Sequence, residues 1–90
     1  MSQSAPWAVY IVRCADGSLY TGVATDVARR VAEHNTKGRL AANYTRARHP
    51  VVLVYSEAAA TRSAAGRREA RIKKMRRRQK EALVEEGAAR

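Results

Sequence analysis

The apolar positions change period along the chain, and each change marks an element. Trp7 to Cys14 is a run of β-branched and aromatic residues, which predicts a strand. Ala15-Asp16-Gly17 reads as a turn, and Ser18 to Val23 as the returning strand. Thr25 or Asp26 is placed to cap a helix running to about Thr36. Lys37 to Pro50 is polar and basic and reads as a loop. Val51-Val52-Leu53-Val54-Tyr55 is continuously apolar, which suits a buried central strand better than an edge. Ala58 to about Lys80 has helical spacing, with Thr61 as a cap and Gly66 as a weak point of ~1 kcal/mol against alanine. Gln79 to Glu86 either continues that helix or forms a short one of its own. The order is β-β-α-β-α(-α), and a tight turn makes the first two strands antiparallel. Residues 1–6 read as a disordered leader, 7–86 as one domain and 87–90 as a frayed tail.

The turn decides what the hairpin displays. Alternation sets Tyr10 on one face of the first strand with Ala8, Val12 and Cys14, and Tyr20 on the second strand with Ser18 and Gly22. A two-residue Asp16-Gly17 turn puts the tyrosines on opposite faces. A three-residue loop with a left-handed Gly17 pairs Cys14 with Ser18, so that Tyr10 faces Gly22, Tyr20 faces Val12 and both hydroxyls share a side. Both registers are open to this sequence. The second gives Gly22 a purpose, since a residue without a side chain opposite Tyr10 leaves space for something to approach.

In the first helix, about 100° per residue puts Val27 and Val31 on one stripe, closely flanked by Arg30 and His34. Arg29 and Glu33 point roughly the other way. Arg30 therefore reaches the sheet, where its planar fork suits a phosphate, and His34 one turn on can bond a phosphate or exchange a proton near neutral pH. In the distal helix Ala65, Glu69, Ile72 and Met75 form a core stripe with a carboxylate in it. A carboxylate so placed finds a cation or a metal. Lys73, at i+4, is its neighbouring side-chain partner. One carboxylate with waters and phosphate oxygens is an acceptable Mg²⁺ environment, and no Cys/His set has zinc spacing.

Composition then narrows the partner. The net charge is +10, from 18 Lys+Arg against 8 Asp+Glu. Ten of the 18 basic residues lie between Arg62 and Lys80, where Glu69 is the only acid, and Lys37, Arg39, Arg46 and Arg48 add four in the mid-chain loop. Such a field draws polyanions, which points to nucleic acid. The basic helix lacks the continuous bulky apolar face that an anionic membrane would need. Arg39, Tyr44, Arg46 and Arg48 read as substrate grippers, because a base stacks on tyrosine while arginines hold phosphates. The single cysteine, Cys14, permits no intramolecular disulfide, and no signal or membrane-spanning pattern occurs, so the expected location is cytoplasmic.

Val9-Tyr10-Ile11, Tyr20-Thr21-Gly22, Arg30, His34 and Glu69, in this order and spacing, resemble the GIY-YIG nuclease superfamily, over about Trp7 to Val84. Arg-Cys-Ala-Asp-Gly-Ser-Leu-Tyr-Thr-Gly, Arg-Arg-Val-Ala-Glu-His-Asn and Arg-Arg-Glu-Ala-Arg-Ile-Lys-Lys look like its small stand-alone bacterial members. The resemblance implies an α/β fold of the α+β type, with helices flanking a three-stranded antiparallel sheet. It also implies an endonuclease that hydrolyses DNA phosphodiesters with Mg²⁺ or Mn²⁺, leaving 5′-phosphate and 3′-hydroxyl ends. Tyr10 would then be general base or orient the water, and Tyr20 would assist or bind the scissile phosphate. Arg30 would stabilise the phosphorane-like state, His34 would support proton transfer, and Glu69 would hold the metal. Gly22 and Lys73 complete the expected substrate contacts.

There are departures. Many members carry a polar residue, often Asn, some 12–15 positions after the metal glutamate, and Glu81 to Val84 contains no Asn. Position 23 is Val, where excision-repair incision subunits carry lysine. No recognition module is attached, so cutting would be strand- or structure-selective with little sequence preference, in repair or maintenance. The alternatives are a non-catalytic basic nucleic-acid-binding module and a subunit that acts only with a protein partner.

Overall fold

The computed structural model describes residues 6–36, 45 and 48–88. The expectations for 1–5, for 37–44 and 46–47 of the basic loop, and for 89–90 fall outside the described residues. The elements are β1 (Trp7–Arg13), β2 (Leu19–Ala24), α1 (Val27–His34), β3 (Val52–Ala59), α2 (Arg62–Lys73) and α3 (Arg77–Ala88). This is the α+β order expected.

The three-residue turn closes the hairpin. The Cys14 amide donates to the Ser18 carbonyl at 2.8 Å and the Gly17 amide to the Cys14 carbonyl at 2.9 Å, with Gly17 at φ +87°. A positive φ strains any residue with a Cβ, so glycine is suited to this place. Asp16 stabilises the turn by accepting from the Ser18 amide and hydroxyl. The resulting register pairs Tyr10 with Gly22 and Val12 with Tyr20. Of the two registers the sequence allowed, this is the one that puts both tyrosines on one face.

The antiparallel sheet runs β2-β1-β3. The central strand is therefore β1, and β3 is an edge, contrary to the reading of its apolar run. The reason lies in cover. Val9, Tyr10, Ile11 and Val12 are all buried, because β1 supplies both faces of the sheet. In the Val51–Tyr55 run only Val51 is buried, while Val52 and Leu53 are 61% and 41% exposed. The strand also extends through Ala58 and Ala59, which the helical reading had claimed.

Two apolar clusters sandwich the sheet. On one face Tyr10, Val12, Cys14 and Val51 pack with Tyr20, Ala24, Val27 and Val31, which seats α1. On the other, Val9 and Ile11 meet Ala65 and Ile72 of α2, with Leu83 and Val84 of α3 against them. Asp26 is the cap of α1, its side chain accepting from the Arg29 amide, and Thr61 caps α2 through the Ala64 amide. The long distal helix is two. Backbone bonds from Lys74 and Met75 close α2, and the Gln79 side chain accepts from the Arg76 amide to start α3. The break lets α3 turn back over the sheet, where Glu81 takes both Nη atoms of Arg13 at 2.7 and 3.0 Å. Gly87, expected at the start of the frayed tail, packs against the Tyr55 ring instead.

Ile72 holds α2 to β1 with no exposed surface. Ile72→Ala should cost about 2–5 kcal/mol in a urea unfolding curve. An unchanged midpoint would mean that α2 is held by its ion pairs instead.

Candidate active site

On the α1 face, Tyr10 rises from the centre of the sheet and meets His34 from the last turn of α1. Tyr10 Oη and His34 Nε2 are 2.7 Å apart. His34 Nδ1 is in turn 2.8 Å from Thr45 Oγ1. His34 and Thr45 have no exposed surface, and Tyr10 has 1%. Tyr20, from edge strand β2, sets its ring edge-on to His34 with centroids 5.2 Å apart. The space that Gly22 leaves is filled by Tyr10 itself: a Cβ there would lie 2.5 Å from Tyr10 Oη. The glycine is thus a seat for the phenol, not an open approach.

Arg30 brings the positive charge. Its guanidinium pairs with Glu33 at 2.8 Å, and its charge acts on the Tyr10 phenol. Glu33 does not point away from Arg30 as the helical wheel suggested; it bridges Arg30 and Arg29, the latter at 3.3 Å. Arg29 is otherwise the solvated charge expected, with 76% of its side chain exposed. An open groove beside this cluster is lined by Thr25, Asp26, Arg29, Arg30 and Glu33.

α2 packs on the opposite face, yet Lys73 extends towards Tyr20, its Nζ 5.9 Å from the ring centroid. The same Nζ is 3.1 Å from Glu69 Oε2. Tyr20 stands on the outer strand, so the two faces communicate round that edge. The Glu69 carboxylate keeps a quarter of its surface, and its charge acts on the Tyr10 phenol.

Burial sets the protonation states. The Tyr10 phenol is pushed up to about 12, first by burial and then by Tyr20, against the pull of Arg30. Burial, helped by the Arg30 charge, holds the His34 imidazole below its usual range. At neutral pH the pair is therefore phenol and neutral imidazole.

Among the described residues no three His, Cys, Asp or Glu gather as a metal cluster. The Glu69 carboxylate offers hard, partly exposed oxygens, and its charge is felt at the phenol. That donor set fits Mg²⁺ or Mn²⁺, which would keep waters on the remaining positions, and does not fit zinc.

Of the residues singled out in the sequence, Tyr10, Tyr20, Gly22, Arg30 and His34 come together directly, and Glu69 and Lys73 join them from the flank. Arg48 stands elsewhere, paired with Asp16 at 3.1 Å beside the hairpin turn. Arg39, Tyr44 and Arg46 lie outside the described residues. Thr45 and Glu33 were missed. Nothing in a polar loop marks one threonine as buried, and Glu33 looked outward on a helical wheel. Asn35 was missed too: its side chain donates to the Val51 carbonyl at 3.1 Å and accepts from the Val51 amide, tying the end of α1 to the start of β3.

Comparison with known proteins decides the family. The model of the GIY-YIG catalytic domain matches residues 6–82. The chain belongs to the GIY-YIG family. It is 53% identical over 78 residues to a UPF0213 protein of Desulfotalea psychrophila, covering 87% of this chain and 70% of that one. A UPF0213 protein of Halobacterium salinarum is 55% identical over 75 residues, covering 83% and 95%. The solution NMR structure of a UPF0213 protein from Bacillus halodurans is similar at a TM-score of 0.56 and 46% identity, covering 88% of this chain and 82% of that one. GIY-YIG membership places this protein in a nuclease superfamily.

Two outcomes check this geometry. Gly22→Ala must displace the Tyr10 hydroxyl, so thermal unfolding should show a loss of about 1–3 kcal/mol; a neutral result would mean the phenol has room to move. The lowered His34 value also gives a pH signature. The unfolded chain takes up a proton near the ordinary value of 6.5 while the folded one resists. Stability should therefore fall as pH drops from about 6.5 towards 5, above the usual carboxylate range. His34→Gln should flatten that slope in urea midpoints measured across the interval, and an undiminished slope would assign it to another group.

Proposed function

We propose that this GIY-YIG domain is a metal-dependent endonuclease that hydrolyses DNA phosphodiesters, selects for strand or structure more than sequence, and serves repair or maintenance in the cytoplasm. The buried Tyr10–His34 hydrogen bond beside Arg30 carries this reading. A phenol, a neutral imidazole and a guanidinium concentrated at one point have more chemistry than a binding surface needs.

Each residue has a task in that reaction. Arg30 binds a non-bridging oxygen of the scissile phosphate and holds the charge that grows there, a contribution that ranks among the largest in such reactions. Tyr10 orients the attacking water. As a phenol with a raised pKa it is a poor base alone, and it works by passing its own proton to His34 while taking one from the water. Tyr20 borders the phosphate from the sheet edge. Glu69 holds Mg²⁺ or Mn²⁺ when it is bound, and that ion supplies Lewis acidity towards the phosphate. Lys73 and the exposed cations of α2 and α3 attract the backbone on either side.

A second reading has one observation in its favour. Glu69 already has a cationic partner in Lys73, as it would in a module that binds nucleic acid without cutting it.

A labelled panel of single-stranded, duplex, nicked, flap and branched DNA with Mg²⁺ or Mn²⁺ separates the two. Under the nuclease reading Glu69→Ala should abolish cutting and Tyr10→Phe should slow it about 10²-fold or more, both with binding retained. Salt-sensitive binding by the wild type with no cutting of any substrate would select the binding module. Equal cutting by wild type and Glu69→Ala would remove Glu69 as the metal ligand.

A further inference from the structure

Thr45 stands behind His34, and nothing in the nuclease reading assigns it a part. Its hydroxyl is 2.8 Å from His34 Nδ1, and neither residue has exposed surface. Two local ties steady the position. The Thr45 carbonyl accepts from the Arg48 amide at 3.0 Å, and the Asn35 side chain exchanges hydrogen bonds with the Val51 backbone. Asn35 directly follows His34, so the end of α1 and the approach to β3 are joined on both sides of the imidazole.

One arrangement of protons accounts for both short contacts. Tyr10 keeps its proton, and the nearby Arg30 guanidinium has only donors. A phenol hydrogen aimed at the ring nitrogen 2.7 Å away requires that nitrogen to be bare. A neutral imidazole with a bare Nε2 carries its hydrogen on Nδ1, and the partner of Nδ1 is Thr45 Oγ1, acting as acceptor. Every buried side-chain polar atom among the described residues has a partner, as this assignment requires.

We propose that Thr45 is a positioning residue that fixes His34 in the Nδ1–H tautomer, so that Nε2 is free to receive the proton of Tyr10. The inference rests on the nuclease reading for its use but not for its geometry. In the reaction the Tyr10 hydroxyl proton moves to His34 Nε2 while Tyr10 Oη takes a proton from the attacking water. The water oxygen bonds to phosphorus as the phosphorus–O3′ bond breaks, and the electron pair leaves on O3′. The imidazolium then returns its proton through Tyr10 to the medium or to O3′. The opposite tautomer would present a hydrogen at Nε2 and block the first transfer. The logic is that of a base oriented by a third group, with a threonine as the orienter.

The test combines a tautomer measurement with kinetics on the full chain. Nitrogen-15 NMR of the His34 ring near pH 7.5 should show Nδ1 protonated and Nε2 bare in the wild type and in Thr45→Ser. Thr45→Val keeps the shape but removes the acceptor, and should show a mixed or reversed tautomer. On whichever DNA the wild type cuts, Thr45→Val should lower kcat tenfold or more with KM unchanged, and Thr45→Ser should restore it. A protonated Nε2 in the wild type, or a Thr45→Val protein with the wild-type tautomer and rate, would overturn the proposal. If Thr45→Val does not fold, the wild-type tautomer and the Thr45→Ser rate still decide it. The expected tautomers with no cutting by the wild type would uphold Thr45 as the orienter of His34 and sink the nuclease reading instead.

Discussion

The 2.7 Å hydrogen bond between Tyr10 and His34 is buried from water and joins the centre of the sheet to the end of α1. A polar pair in that position is costly unless every atom is satisfied, because water is not there to substitute. That requirement reaches outwards. It needs a hairpin register that puts Gly22 opposite Tyr10, a helix of the right length to deliver His34, and an acceptor or donor behind the imidazole, which Thr45 supplies. A shift of one residue in the hairpin would turn Tyr10 to the face that α2 covers and dissolve the arrangement.

The two faces of the sheet divide the work. The α2 and α3 side carries most of the aliphatic packing, with Val9, Ile11, Ala65 and Ile72 at its centre. The α1 side has aromatic groups in its cluster and holds the proposed site. Strand β1 serves both, which is why, among the described residues, it alone is buried along four successive positions. The proposed site thus rests on a central strand whose other face is structural: loosening the Ile72 side would move Tyr10 without touching its own hydrogen bonds.

Charge is distributed by the same economy. Arg30 pairs with Glu33 at the partly exposed end of the site, and its charge also acts on the phenol. Arg13, on the central strand, is bound by both oxygens of Glu81, and that pair helps fix α3. Lys73 links Glu69 to the Tyr20 ring across the sheet edge. Excess positive charge on the helices is left to the surface, where it raises encounter with a polyanion more than it affects the fold.

Local chemistry determined a good deal. A turn at Ala15–Gly17, a cap at Thr25 or Asp26, the Thr61 cap, the antiparallel hairpin and the family motif could all be read along the chain, because turns, caps and periodicity act over a few residues. The convergence of Tyr10, Arg30 and His34 followed from the same rules once the register was chosen. Strand order was not local. A continuous apolar run such as Val51–Tyr55 looks central by itself, but centrality depends on what covers each face, and only packing placed β1 there and left Val52 and Leu53 outside. The break between α2 and α3 carries no glycine or proline; it arises because Leu83, Val84 and Glu81 gain sheet contacts that a straight helix would forgo. Thr45 was invisible for the same reason: only the fold carries this residue, eleven positions on, back to the far nitrogen of His34.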